Sequence, residues 1–154
     1  MTYGFYGRET ANVPPVSDDY PGIRDPRDLY EALMKLWCAE TCAPRMRDDW
    51  SPENPTLGQC SITSFLAQDI FGGEVYGIDL PEGGIHCFNQ IGDCMFDLTN
   101  EQFGDRVLDY GKCSLQSRDK HFSAEEKRLR YEMLKEKLSL YLKEKQLSGQ
   151  SEKD

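Results

Sequence analysis

The sequence predicts an α+β fold in which a helix begun by a cysteine packs on a small antiparallel sheet. Two observations predict it. Apolar residues recur at helical spacing over residues 25–42, 60–71 and 123–147. Between the second and third of these stretches lie three strand-like runs separated only by PEGG and GD, turns short enough to join antiparallel neighbours.

Each element has its own warrant. Residues 1–24 mix Tyr, Gly, Pro and Asp without periodicity and read as an irregular N-terminal arm draped over one domain spanning 25–147. RDPRDLYEALMKLWCAETC reads as a leading helix. Asp25 caps it, Pro26 suits its first turn, and Leu29, Leu33, Leu36 and Trp37 supply the stripe, with Pro44 marking the end. RMRDDWSPENPTLGQ is a loop by its Pro, Asp and Asn content. The second helix runs from Cys60 to Phe71 with Ile62, Phe65, Leu66 and Ile70 inward, and Gly72-Gly73 stops it. EVYGIDL, GIHCFNQI and CMFDLT are strands, and the chain from there to Lys120 reads as loop. Ser123 and Glu126 have capping-box spacing and open a long closing helix, striped by Leu129, Met133, Leu134, Leu138, Tyr141 and Leu142. Residues 148–154 read as a disordered tail.

Composition narrows the function. A chain of 154 residues buries a sizeable core without disulfides or metal. Its 38% apolar and 29% charged residues are those of a soluble globular protein. A formal net charge of −9 argues against nucleic acid and anionic lipid as partners. MTYGFYGRETANV lacks the basic and apolar regions of a signal peptide, and no apolar run approaches the ~18 residues of a membrane span. The expectation is a cytoplasmic protein without a membrane or nucleic-acid partner. There its six cysteines are expected as thiols. No C-x-x-C pair occurs; Cys38 and Cys42, four apart on the expected leading helix, are the one spacing open to a metal pair. With only His86 and His121 to join them, no metal or organic cofactor is expected, and a cysteine-rich zinc or redox module is kept as an alternative. Cys87, Cys94 and Cys113 fit small core positions.

The chemistry gathers around Cys60. A helix N-terminus carries partial positive charge and unpaired N–H groups, both of which favour thiolate over thiol. If Gly92-Asp93 form a two-residue hairpin turn, Ile91 faces Cys94, Gln90 faces Met95, Phe88 faces Asp97 and His86 faces Thr99. Alternation then puts His86 and Asp97 on one face as diagonal neighbours, within reach of a side-chain hydrogen bond. Cys60 would be the nucleophile, His86 its acid–base partner and Asp97 the group that fixes the imidazole tautomer. Backbone N–H groups near Cys60, joined by the Gln59 amide or the Trp50 indole, would bind an oxyanion, and Asn89 would orient a strand or a substrate. Each residue also has an ordinary structural role. Cys60 could be a core thiol, His86 a strand residue satisfied by a carbonyl, and Asp97 a turn cap. His121 is expected to be solvent-exposed.

GQC opening a helix, then HCFN, then MFDLT resembles the Cys-His-Asp order of the transglutaminase-like branch of papain-fold proteins, with Phe88 where Trp is usual. NPTLGQCSITSFLAQDIFGGEV, LWCAETC, HCFNQI and DLTNEQF together resemble the bacterial YunG family over about Leu29 to Phe103. The first resemblance implies a papain-like core and a Cys60–His86–Asp97 triad. The expected function is cysteine-dependent acyl transfer: an amide or ester hydrolase, deamidase or transglutaminase-like enzyme. Its substrate would be a peptide, protein or small amide or ester. The rival is a catalytically inactive scaffold of that fold that binds a protein partner.

Overall fold

The computed structural model describes residues 5–153, with side chains through 148. Asp25 turns the chain into helix α1 (Pro26–Met34), its carboxylate accepting from the Arg27 and Asp28 N–H groups. Helix α2 (Cys60–Phe71) has the bounds that the sequence predicts, ended by Gly72. Four strands follow, β1 (Glu74–Asp79), β2 (Ile85–Ile91), β3 (Cys94–Phe96) and β4 (Ser114–Leu115), forming one antiparallel sheet in the order β3-β2-β1-β4. A short helix α3 (Arg118–Phe122) precedes helix α4 (Glu125–Lys153). The fold is thus α+β. Helix α2 is sandwiched between the sheet and α4, and Ile62, Phe65, Leu66, Ile70, Phe96, Leu134 and Leu138 are fully buried there.

The β2–β3 hairpin turns at Gly92-Asp93 with Ile91 opposite Cys94, Gln90 opposite Met95 and Asn89 opposite Phe96. The ladder then stops. Asp97 pairs instead with Tyr6, whose carbonyl accepts the Asp97 N–H at 3.0 Å, so the expected Phe88–Asp97 and His86–Thr99 rungs are absent. The arm is thereby part of the packed structure. Phe5, Ala11, Tyr20 and Ile23 are buried in the same core as the helices.

Several expectations are corrected. Helix α1 ends at Met34 instead of reaching Cys42. The Leu36 and Trp37 N–H groups both turn back to the Leu33 carbonyl, and the Trp37 indole donates to Thr63 of α2 at 3.0 Å. That bond draws the chain off the helix axis. Cys38 is then extended and opens a 3-10 turn at Ala39–Thr41, so Cys38 and Cys42 share no helix face. The expected loop before Lys120 holds β4 and α3, which are too short for periodicity to reveal. The Ser123–Glu126 capping box does not form, because Ser123 ends α3 and donates its hydroxyl to the Lys120 carbonyl. Helix α4 buries Tyr131, Leu134, Leu138 and Leu142 but leaves Leu129 50% and Met133 41% exposed, so its inner face is narrower than the predicted stripe. Its backbone continues through Lys153, where a disordered tail was expected, since no proline interrupts its hydrogen-bond ladder. No helix among the described residues is long and apolar enough to cross a membrane.

Candidate active site

Cys60 is the first residue of α2, half-buried, with Sγ 3.7 Å from the Ile85 carbonyl at the start of β2. The preceding GQ is not filler. Gly58 has φ of 71°, and a Cβ there would lie 2.5 Å from the Cys42 sulfur and 2.9 Å from the Ala43 nitrogen. Only glycine lets the loop pass this close and deliver Cys60 to the helix start. The first N–H groups of α2 lie at a helix start and so lack intrahelical partners.

His86, on β2, and Asp97, just beyond β3, are both buried, with His86 Nε2 2.6 Å from Asp97 Oδ2. The carboxylate accepts three further hydrogen bonds: from the Tyr110 hydroxyl at 2.8 Å, the Thr99 N–H at 3.1 Å and the Thr99 hydroxyl at 3.4 Å. A carboxylate can only accept, so Nε2 carries a proton and donates it. Nδ1 has no hydrogen-bond partner among the described residues. The Cys60 thiol, with Asp97, favours the charged form of the ring. Phe103 lies edge-on to the imidazole at 4.8 Å between ring centres and shields it from solvent.

The charges follow from these contacts. Burial alone would lower the His86 pKa, but Asp97 and Cys60 outweigh it and raise it to about 10. The Cys60 thiol is held well below its ordinary value, first by a hydrogen bond from Cys87 and then by His86, against the opposing effect of burial. The Cys87 thiol, sharing that hydrogen bond and buried, is held well above its ordinary value. These shifts favour a Cys60 thiolate beside a His86 imidazolium and a Cys87 that keeps its proton. A thiolate in such surroundings is a nucleophile or a metal ligand. The described residues contain no group of three or more His, Cys, Asp or Glu arranged to hold a metal.

The supporting residues expected from the sequence are not brought to the thiol. The Trp50 indole donates to the Pro55 carbonyl at 3.0 Å, closing its own loop. The Gln59 amide is fully buried and donates to the Cys38 carbonyl at 3.0 Å. Asn89 donates to the Ser64 carbonyl at 2.8 Å, which fastens β2 to α2 instead of addressing a substrate. Three residues come to the site without having been anticipated. Tyr110 holds Asp97 from a loop, stacked on Tyr6 at 4.1 Å, and Phe103 covers His86. His121, expected in solvent, is half-buried: Lys127 donates to its Nδ1 at 2.9 Å and its Nε2 donates to Gln116 at 2.8 Å.

Cys60 and His86 open onto a cleft of about 910 Å³. Met46, Leu57, Leu80, Ile85 and Phe103 give it apolar walls, and His121 and Lys127 also line it.

Comparison with known proteins places the chain in a family. It is 39% identical over 54 residues to "Uncharacterized protein YunG" of Bacillus subtilis (strain 168). That segment is 35% of this chain and 46% of that protein, so the match spans less than half of the relative's length. No solved structure matches the chain. The family model described as YunG protein matches residues 25–143, which takes in α1, the sheet, Cys60, His86, Asp97 and most of α4, and the chain belongs to that family.

Proposed function

We propose that this protein is a cysteine-dependent acyl-transfer enzyme, with Cys60 as nucleophile, His86 as acid–base and Asp97 as the group that orients the imidazole. The observation that carries the reading is the buried 2.6 Å His86–Asp97 contact, which leaves Nδ1 as the one ring nitrogen able to serve a half-buried thiol at a helix N-terminus. The order Cys, His, Asp along a helix and an antiparallel hairpin also resembles the transglutaminase-like branch of the papain fold, and we extend the reading to that core. The substrate would be an amide or ester of a peptide, protein or small molecule.

The Cys60 thiolate attacks the carbonyl carbon, and the resulting oxyanion is met by the free N–H groups of the first turn of α2. Collapse breaks the bond to the amine or alkoxide, which takes the proton of His86 Nδ1 and leaves a thioester on Cys60. Neutral His86 then removes a proton from water, for hydrolysis, or from an amine, for transfer. That oxygen or nitrogen attacks the thioester, and the thiolate departs. Asp97 keeps the ring in the tautomer that presents Nδ1 throughout.

The test is capture of the covalent state. Wild-type protein exposed briefly to p-nitrophenyl acetate should carry one acetyl group on Cys60, detected by peptide mass spectrometry and removed by hydroxylamine. Cys60→Ser should carry none and Asp97→Asn should acylate roughly tenfold or more slowly. Acetylation spread over several thiols, or unaltered in a folded Asp97→Asn protein, would falsify the catalytic reading.

A further inference from the structure

The charges around the cleft do not cancel. Its two carboxylates are each taken by an arginine: Glu82 by Arg106, at 2.5 and 3.0 Å, and Glu126 by Arg130. Two cations of the same lining, Arg45 and Lys127, have no carboxylate partner among the described residues. The chain as a whole carries 27 acidic and 18 basic residues, so a positive lining runs against its overall charge. Here the excess of negative charge lies elsewhere and the cleft is left positive.

Both border the cleft onto which Cys60 opens. The Arg45 guanidinium lies against Gly84, where a Cβ would come within 2.5 Å of its Nη2, and Gly84 leads directly into Ile85, whose carbonyl touches the Cys60 sulfur. Lys127 is fixed by its bond to His121, itself anchored on Gln116, and its positive charge reaches Cys87 beside Cys60. A guanidinium offers a planar fork that matches a carboxylate, and an ammonium adds a compact point charge.

We propose that the Cys60 cleft takes carboxylate-bearing amides or esters, with Arg45 and Lys127 recognising the carboxylate next to the reacting acyl group. This rests on Cys60 being the nucleophile, and it adds a substrate class that the Cys-His-Asp geometry does not specify. The imidazolium of His86 attracts an anion as well, so the proposal is tested on the two cations specifically.

Iodoacetate and iodoacetamide differ only in carrying a carboxylate or a neutral amide. With either, the thiolate sulfur forms a bond to the CH₂ carbon and iodide leaves. The full-length protein is alkylated with each, and the rate at Cys60 is followed by peptide mass spectrometry. The ratio of the two rates cancels any general change in Cys60 reactivity. That ratio should fall by roughly three- to tenfold in Arg45→Gln/Lys127→Gln, and in wild type it should shrink as salt is added. Arg45→Gln alone, at an exposed position, should give a smaller fall in the same direction and serves if the double variant misfolds. A ratio unmoved by either variant overturns the carboxylate proposal and leaves the nucleophile intact. If Cys60 reacts with iodoacetamide no faster than Cys94, the nucleophile reading fails and this proposal fails with it.

Discussion

Two histidines border the same cleft and are held in opposite charge states. His86 faces a buried carboxylate and a thiol, and its pKa is raised to about 10. His121 is half-buried, and its pKa is lowered, first by burial and then by the positive charge of Lys127. Burial acts on both rings in the same direction. The sign of the nearest charge decides the outcome. The neutral His121 is locked by accepting from Lys127 and donating to Gln116, so it is suited to positioning and has no proton to exchange at neutral pH. His86 is suited to proton transfer because one nitrogen is committed to Asp97 and the other is left for Cys60.

The contrast can be broken most severely by His86→Ala. Loss of the imidazolium should slow Cys60 alkylation by iodoacetamide at pH 7 by about a hundredfold or more, measured by peptide mass spectrometry. The same variant checks the charge state through stability. His86 has a folded-state pKa above its unfolded value of 6.5, so its stabilisation is complete below about pH 6.5 and is lost as pH rises through about 10. The difference in melting temperature between wild type and His86→Ala should therefore narrow towards pH 10. A difference that widens over that range would place the charge elsewhere.

Tyr110→Phe should have an intermediate effect. It removes one donor from Asp97 and leaves the contact with His86. The expected result is a loss of roughly 1.5 kcal/mol in urea unfolding, with Cys60 alkylation changed by less than about threefold. A loss of reactivity as large as that of His86→Ala would make Tyr110 part of the reacting group. His121→Gln should have the smallest effect, within about a factor of two on alkylation, because the ring it removes is uncharged.

The same contrast marks what a sequence discloses. The β2–β3 register was legible for the rungs nearest the turn, because a two-residue Gly92-Asp93 turn admits one pairing. The rungs expected at Asp97 and His86 do not form, and these two meet with Asp97 bridged to Tyr6. The bounds of α2 were legible because Cys60 follows a glycine-bearing loop and Gly72 stops the helix. The end of α1 was not. It is set by a bond from Trp37 to Thr63, a contact between residues far apart in sequence that periodicity does not register. For the same reason the partners of Gln59 and Trp50 were misassigned: each amide or indole N–H is taken by a backbone carbonyl brought near by loop folding. Tyr110, Phe103 and His121 lie in segments without regular patterning, and only their place in the fold shows what they touch. The arm fell outside the predicted domain because irregular backbone has no period, yet Tyr6 carries the backbone bridge that seats Asp97.

The central claim is that Cys60 is a thiolate paired with an imidazolium, and the pH dependence of its alkylation tests that most directly. Iodoacetamide labelling of Cys60, with Cys94 of the same molecule as internal reference, is followed from pH 5 to pH 10. Burial raises the Cys94 thiol, so its labelling should climb only in the alkaline range. Cys60 should already react rapidly at neutral and mildly acidic pH, and should lose that early reactivity in His86→Ala. A Cys60 profile that rises together with that of Cys94, and is the same in His86→Ala as in wild type, would contradict the account.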